Sequence, residues 1–288
     1  MKDSTYPNET IRVLLERGSC RSFADRDIEP DVLESVLRAG VHAPTAGNLQ
    51  PYSVILIKDK NTSLELQRLC GNQAFISQAP VNLLFCLDWN RIRRWTELEA
   101  APFSATQSFR HFWVSFQDTI ICAQNIVTAA DSLGLGSVYV GTVLECFAEL
   151  REMFNMPQAV FPVVLLSLGY PKHKPVPRRK LGIDTIVHHE KYHDPDDASL
   201  LQAFSDKYAL EAPLTPSESS LQTIGRVAES VHGQEFARRC VERISETGVI
   251  NRAQRYFGLH YRADIMPTRN RKYLEIMRES GFDWFEHS

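Results

Sequence analysis

The chain has 288 residues, of which 43% are hydrophobic and 23% are charged, so its composition is that of a globular protein and not of a disordered one. Lys and Arg number 32 against 35 Asp and Glu, and the net charge of -3 argues against a nucleic-acid partner. No apolar run reaches the roughly 18 to 20 residues of a membrane helix, and the N-terminus lacks the apolar segment of a secretory signal, so neither a membrane partner nor export is expected.

The six cysteines are scattered along the chain, with no CxxC pair and no histidine at metal-ligand spacing. Several lie in apolar runs, and Cys86, for example, is part of the run at 81–87. We therefore expect free, buried thiols in a protein of the reducing cytoplasm, with neither a disulfide scaffold nor a metal site.

Helical stretches and apolar strands alternate along the first two thirds of the chain, without internal repeats. In order, the pattern predicts helices over 8–16 and 30–41, a loop over 42–51, a strand over 52–57, a helix over 62–71 and a strand over 81–87. After these elements the pattern predicts a mixed segment over 89–112, a long helix over 113–133, a strand over 137–140, a helix over 145–155 and a strand over 161–168. This alternation predicts an α+β or α/β domain whose helices cover a sheet.

The composition changes after about residue 195. Residues 211–220 are rich in Pro and Ser and predict a linker, and residues 221–288 are charged and predicted to be mainly helical. The predicted organisation is therefore a domain over 1–195 followed by a helical C-terminal extension over 196–288.

Two segments near the N-terminus carry side chains suited to a ligand. Arg17, Ser19 and Arg21 bring two guanidinium groups and a hydroxyl together, which suits a phosphate, although the same residues also fit a solvated turn. The loop 43–51, APTAGNLQP, can present backbone and amide groups to a flat polar heterocycle, or can simply connect a helix to a strand.

Two later segments add to this pattern. Residues 134–142 contain glycines but no GxGxxG, and a helix precedes them, so a Rossmann dinucleotide site is not expected. The basic run 177–180 is either a solvated tail or a second contact for the phosphate held near Arg17 and Arg21.

Taken together, the order and spacing of these segments over residues 10–192 resemble the FMN-dependent nitroreductase family. The features that carry the resemblance are RxSxR at 17–21, the APTAGNLQP loop at 43–51, the helix end at 130–137, LGYP at 168–171, RRK at 178–180 and VHxExY at 187–192.

The resemblance implies an α+β fold with a central sheet sandwiched by helices, an intertwined homodimer, and FMN at the subunit interface. The implied phosphate and ribityl contacts are Arg17, Ser19 and Arg21, with Arg178 or Arg179 closing on the phosphate. Pro44, Thr45 and Asn48 are implied to line the isoalloxazine ring, and the backbone of Val140, Gly141 and Thr142 is implied to face flavin N5. The extension is a departure from the simpler members of the family.

The same resemblance implies an oxidoreductase in which NADH or NADPH reduces the flavin and a nitroaromatic, a quinone or a similar electron-poor molecule then reoxidises it. FMN carries the chemistry, so no side-chain catalyst is assigned. The alternatives are a reductive dehalogenase, a flavin-fragmenting enzyme, or a flavin-binding redox sensor with little turnover.

Two further hypotheses concern substrate access. The aromatic and arginine side chains of 89–116 are interpreted either as a substrate lid or as a mixture of core and solvated residues. The aromatic and arginine stretches 256–262 and 266–271 are interpreted as surface packing, the alternative being that they reach the flavin pocket.

Overall fold

Helices and strands alternate in the first part of the chain, as the apolar periodicity predicts. The computed structural model describes residues 6–287. Its strands are β1 (Tyr52–Ile57), β2 (Val81–Asp88), β3 (Gly136–Val140) and β4 (Val160–Gly169). The helices up to β4 are α1 (Glu9–Glu16), α2 (Pro30–Val41), α3 (Lys60–Leu69), α4 (Phe75–Gln78), α5 (Trp89–Leu98), α6 (Phe109–Ser132) and α7 (Phe147–Met153). Those after β4 are α8 (Ile183–Ile186), α9 (Asp197–Tyr208), α10 (Glu218–His232), α11 (Gln234–Thr247), α12 (Arg252–Gln254) and α13 (Asn270–Glu279).

The four strands form one antiparallel sheet in the order β1-β2-β4-β3. Every residue of β2 and β4 is buried, which makes these the central strands, while β1 and β3 are the two edges. Pro162 lies within β4 at an irregularity opposite Phe85 and Cys86, a position where its missing N–H does not interrupt a regular ladder. The start of β1 and the end of β3 point toward the same end of the sheet.

Helices cover both faces of this sheet, as predicted. Residues from α3, α4 and α7 pack with alternate residues of β2, β3 and β4 in one buried cluster. Helix α6 packs against α2 and against all four strands. A Cβ at Gly40 would lie 2.5 Å from the side chain of Ile126, so the glycine lets α2 approach α6 closely. That contact fixes where the loop after α2 begins.

The chain has two compact units, and their boundaries differ from the predicted domain boundary at residue 195. One unit contains the residues up to Pro177 together with the segment from Leu274 onward, and the other is Arg178–Tyr273. The final segment belongs with the first unit because Phe282 is fully buried, with its ring 5.6 Å from that of Phe112. The Ala159 N–H also donates to the carbonyl of Ser280 at 2.7 Å.

The second unit has a small core of its own, built from Ile224, Ile244 and Ile250. Helices α10 and α11 are joined at Gly233, whose φ of +86° is readily reached only by glycine. The predicted linker 211–220 is partly ordered, since Leu214 pairs with Ile250 and Ser217 caps α10.

The segment 89–112 is more regular than its composition predicts, because it forms α5 and the first turn of α6. Clustered aromatic and arginine residues obscure the periodicity, but each helix begins at a residue whose side chain caps it. The Asp88 carboxylate accepts from the Arg91 N–H at 3.0 Å, and the Ser108 hydroxyl accepts from the His111 N–H at 3.4 Å. Across residues 6–287, no helix combines the length and apolar character needed to cross a bilayer.

Candidate functional site

The predicted phosphate element, residues 17–21, presents its three polar side chains on one side of an extended segment. Gly18 and Cys20 are buried, whereas Arg17 is half-buried and Ser19 and Arg21 are exposed. Alternate residues of an extended chain point to opposite sides, so Arg17, Ser19 and Arg21 share the outer one. The segment is fixed to β3, because Ser19 bridges Ser137 and the Cys20 N–H donates to the Ser137 carbonyl at 2.9 Å.

The two arginines of this element differ in their surroundings. Arg17 donates through Nε to Asp131 at 3.1 Å and through Nη2 to the Ser137 hydroxyl at 3.3 Å. The Asp131 side chain is only 13% exposed, and burial raises the pKa of its carboxyl even though Arg17 opposes that shift. The charge of Arg17 is therefore partly compensated, while Arg21 extends into solvent.

The predicted ring-facing turn follows directly at the end of β3. Val140 is buried, Gly141 is exposed, and a Cβ at Gly141 would meet no atom within 4 Å. The Thr142 hydroxyl donates to the Cys70 carbonyl at 3.2 Å and accepts from Gln73 at 3.0 Å, so it anchors the turn. At about 3.3 Å per residue, Gly141 lies about 13 Å along the strand from Ser137. The phosphate element and the turn thus occupy one edge of the sheet.

The third predicted segment, the loop before β1, has an unusual backbone. Gly47, Asn48 and Gln50 have φ values of 58°, 56° and 51°, in the left-handed region. For the two residues that are not glycine this conformation is costly, and it persists only where the surroundings enforce it.

Four contacts enforce the conformation of this loop. The buried Asp118 carboxylate accepts from the Ala46 N–H at 3.2 Å, and burial raises its pKa although that hydrogen bond opposes the shift. Gln50 donates to the Val41 carbonyl at 2.8 Å. Arg91 donates to the carbonyls of Gln50 at 2.6 Å and Tyr52 at 2.8 Å. Arg91 therefore holds the loop before β1 through these two carbonyls.

The loop forms one wall of an open cleft of about 820 Å³. Besides Asn48 and Arg91 the cleft is lined by Leu37, Val41, His42, Ala43, Leu49, Gln50, Tyr52, Ser53, Val54, Cys122 and Ile126. Its polar groups and its size suit a flat heterocycle placed against the loop.

Only part of the proposed lid over 89–116 has the exposure that a lid requires. Trp89 is buried and donates to the Ser115 hydroxyl at 3.1 Å, and Arg93 is paired with Glu97. Phe112 packs against the ring of Phe282. The aromatic and arginine side chains of this segment that remain exposed are Arg91, Arg94, Trp95, Phe109, Arg110 and Trp113.

The predicted site residues fall into two groups within one chain. Arg17, Ser19 and Arg21 lie with residues 140–142 along β3, whereas Pro44, Thr45 and Asn48 lie before β1 at the other edge. Three strand spacings, about 14 Å, separate the two edges. Arg178 and Arg179 are exposed residues at the start of the second unit, and their contact with a phosphate stays a prediction. Among the described residues, no cluster of three His, Cys, Asp or Glu side chains could hold a metal ion.

The chain is similar in sequence and in structure to known flavin and nitro reductases. Residues 14–170 match the model of the nitroreductase family. An FMN reductase (NAD(P)H) of Bacillus subtilis is 33% identical over 202 residues, which are 69% of this chain and 81% of that protein. An oxygen-insensitive NADPH nitroreductase of Salmonella typhimurium is 30% identical over 200 residues, 69% of this chain and 81% of that protein. The solved structure of NfrA2 from B. megaterium is similar with a TM-score of 0.73 at 26% identity, covering 96% of this chain and 99% of that one. This last match therefore includes most of the C-terminal extension.

We predict that Arg91→Ala loosens the loop before β1, because two backbone carbonyls lose their charged donor. Hydrogen exchange of the amides in residues 45–52 should become faster, while exchange in β2 stays unchanged. The matched control is Arg94→Ala, which removes an exposed arginine from the same helix. Equal exchange in the two variants would contradict the assignment of Arg91 to the loop.

Proposed function

This chain belongs to the nitroreductase family, and we propose that it is an FMN-dependent NAD(P)H oxidoreductase that reduces electron-poor organic substrates such as nitroaromatics and quinones. The names of the two relatives, an FMN reductase and an NADPH nitroreductase, support the flavin, the nicotinamide donor and the substrate class. The observation that carries the proposal is the row of Arg17, Ser19 and Arg21 beside β3, with an exposed backbone turn at the end of the same strand.

The phosphate end of FMN fits the outer side of residues 17–21. Ser19 and Arg21 are exposed there, and Gly18 allows the segment to approach Val176, whose carbonyl oxygen would lie 2.7 Å from an added Cβ. A phosphate dianion gains most from cations whose charge is not already compensated. Arg21 is therefore the principal phosphate ligand in this proposal, Arg17 orients the segment through Asp131, and Arg178 or Arg179 closes the site.

The isoalloxazine end of FMN fits the turn that follows β3. When bound, FMN supplies a ring that accepts a hydride from the nicotinamide and passes it to the substrate. The chain supplies hydrogen bonds and exclusion of water. Because the Thr142 hydroxyl already donates to Cys70, the group that Gly141 and Thr142 offer to the ring is their backbone N–H. No side chain of the chain has to transfer a proton in this scheme.

The loop residues Pro44, Thr45 and Asn48 would come from a second copy of the chain. In one copy they lie across the sheet from the turn, so a single copy does not place both against one ring. A homodimer would also cover apolar side chains that α1 and α6 expose to solvent. Among them, Leu15 is 62% exposed and Trp113 is 51% exposed. The cytoplasmic location inferred from the cysteines stays a prediction.

The direct test of the activity is the visible spectrum of the purified protein during anaerobic titration with NADH and NADPH. We expect flavin absorbance that bleaches with at least one nicotinamide and returns when a quinone or nitroaromatic is added. A colourless protein that takes up no added FMN would overturn the proposal. If the flavin stayed oxidised with both nicotinamides, the proposed reductase activity would be contradicted and only flavin binding would stand.

The phosphate assignment predicts that Arg21→Ala weakens binding of FMN but not of riboflavin, which lacks the phosphate. The expected increase in the FMN Kd is about tenfold or more, corresponding to about 1.4 kcal/mol of lost binding free energy. Arg38→Ala, which removes an exposed arginine paired with Glu34 on α2, should leave both affinities unchanged. An equal loss for FMN and riboflavin would show that Arg21 does not recognise the phosphate.

A further inference from the structure

The helical unit Arg178–Tyr273 contains an apolar cleft that its small core does not fill. The cleft has a volume of about 370 Å³, near the lower end of the roughly 300 to 1,000 Å³ that small-molecule sites span. One face of α10, one face of α11 and residues from the segment 253–263 form its walls. None of the lining residues belongs to the segments proposed to hold FMN.

The wall that residues 255–260 contribute has an uncommon backbone geometry. These residues form a π-helical turn, and the Tyr261 N–H donates to the Tyr256 carbonyl at 2.6 Å. Gly258 lets this turn touch α10, because an added Cβ would lie 2.8 Å from the Ile224 side chain. Turns of this kind are rare and occur frequently at functional sites. The cleft therefore lies beside a tightly packed contact and does not result from loose packing.

Aromatic side chains in the cleft suit a flat ring. The rings of His232 and Phe236 lie 4.6 Å apart, and Phe257, which is 54% exposed, lines the same cleft. Exposed aromatic surface is stabilised when another ring covers it. The Gln254 side chain already donates to the Cys240 carbonyl at 3.3 Å, so this part of the wall has little to offer an ordered water.

A cation lies beside the aromatic wall. The Arg239 guanidinium is 5.1 Å from the centre of the Phe236 ring. Its neighbour Arg238 pairs with Glu242 at 3.1 Å, whereas Arg239 forms no ion pair within residues 6–287. An uncompensated guanidinium presents a planar set of donors that matches a carboxylate. The cleft thus combines an apolar, aromatic interior with one available positive charge at its side.

We propose that this cleft binds a planar aromatic carboxylate of one or two rings, with the ring against Phe236 and Phe257 and the carboxylate on Arg239. A neutral ring would leave Arg239 without an anionic partner, and a small anion would leave the aromatic side chains exposed. Only a ligand with both features satisfies both parts of the cleft. The proposal does not depend on flavin binding, because the two sets of residues do not overlap.

The test uses 2-naphthoate as the probe and 2-naphthamide, which has the same shape but no charge, as its control. Isothermal titration calorimetry of the protein saturated with FMN should show a single class of sites for 2-naphthoate. The amide should bind about tenfold more weakly, since it lacks the charge-assisted hydrogen bonds to Arg239. Equal affinity for the two compounds would overturn the proposal.

Matched arginine variants locate the charge. Arg239→Ala should raise the Kd of 2-naphthoate about tenfold and leave that of 2-naphthamide unchanged. Arg238→Ala removes the adjacent exposed arginine, which already has a partner, and should change neither value. An equal effect of the two variants on 2-naphthoate would contradict the role of Arg239.

Cys240 reports where the probe binds. It lines the cleft and is partly exposed, whereas the other five cysteines are buried. Bound 2-naphthoate should slow the alkylation of Cys240 by N-ethylmaleimide in proportion to its occupancy. An unchanged rate of alkylation at saturating 2-naphthoate would place the probe elsewhere, the flavin site included, and would overturn the proposal.

A blocking variant tests the cleft without altering its core. Ala253→Trp adds a large side chain at an exposed residue of the wall and should abolish binding of 2-naphthoate, whereas Ala148→Trp, at an exposed residue of α7, should not. Circular dichroism checks that both variants are folded. Binding that persists in Ala253→Trp would contradict the assignment. A wild-type protein that binds no 2-naphthoate, as when a second copy of the chain fills the cleft, would overturn it as well.

Discussion

Two aspartates on one helix determine where the segments of the candidate site lie. Asp118 and Asp131 of α6 hold the loop before β1 and the segment containing Arg17, respectively. Thirteen helical residues at about 1.5 Å each place these anchors about 20 Å apart. The helix is itself fixed by its contact with α2 at Gly40. The separation of the two halves of the candidate site is therefore a property of the core and not of flexible loops.

Both anchors are carboxylates held away from water, an arrangement that opposes their ionised form. Burial raises the pKa of each, and the opposing influence comes from the Ala46 N–H for Asp118 and from Arg17 for Asp131. The loop before β1 also carries two non-glycine residues in the left-handed region. Such costs are typical of positions where a fixed backbone geometry matters for a ligand more than local stability does. Burial of every residue of β2 and β4 stabilises the fold and offsets these unfavourable contributions.

Local sequence patterns predict much of the fold and less of the site. The bounds of α1, α2 and β1 follow from apolar periodicity and from the proline that opens α2, since these signals act over a few residues. The face shared by Arg17, Ser19 and Arg21 follows from simple alternation. The role of Arg91 does not, because its partners Gln50 and Tyr52 lie about 40 residues away in sequence and share no local pattern with it.

The same limit applies to the C-terminal end of the chain. Phe282 returns to the core of the first unit, a contact that a charged helical extension gives no reason to expect. Long-range packing of this kind becomes visible only in the folded chain.

The central claim is that one FMN site combines the phosphate element of one copy with the loop of another. Its most direct test is FMN binding by a mixed dimer in which one chain carries Arg21→Ala and the other carries Asn48→Ala. A shared site predicts that one of the two sites combines both wild-type segments, so about half of the sites regain wild-type affinity. If every site of the mixed dimer stayed as weak as in the single variants, or if no dimer formed, the site would lie within one chain and the account would be wrong.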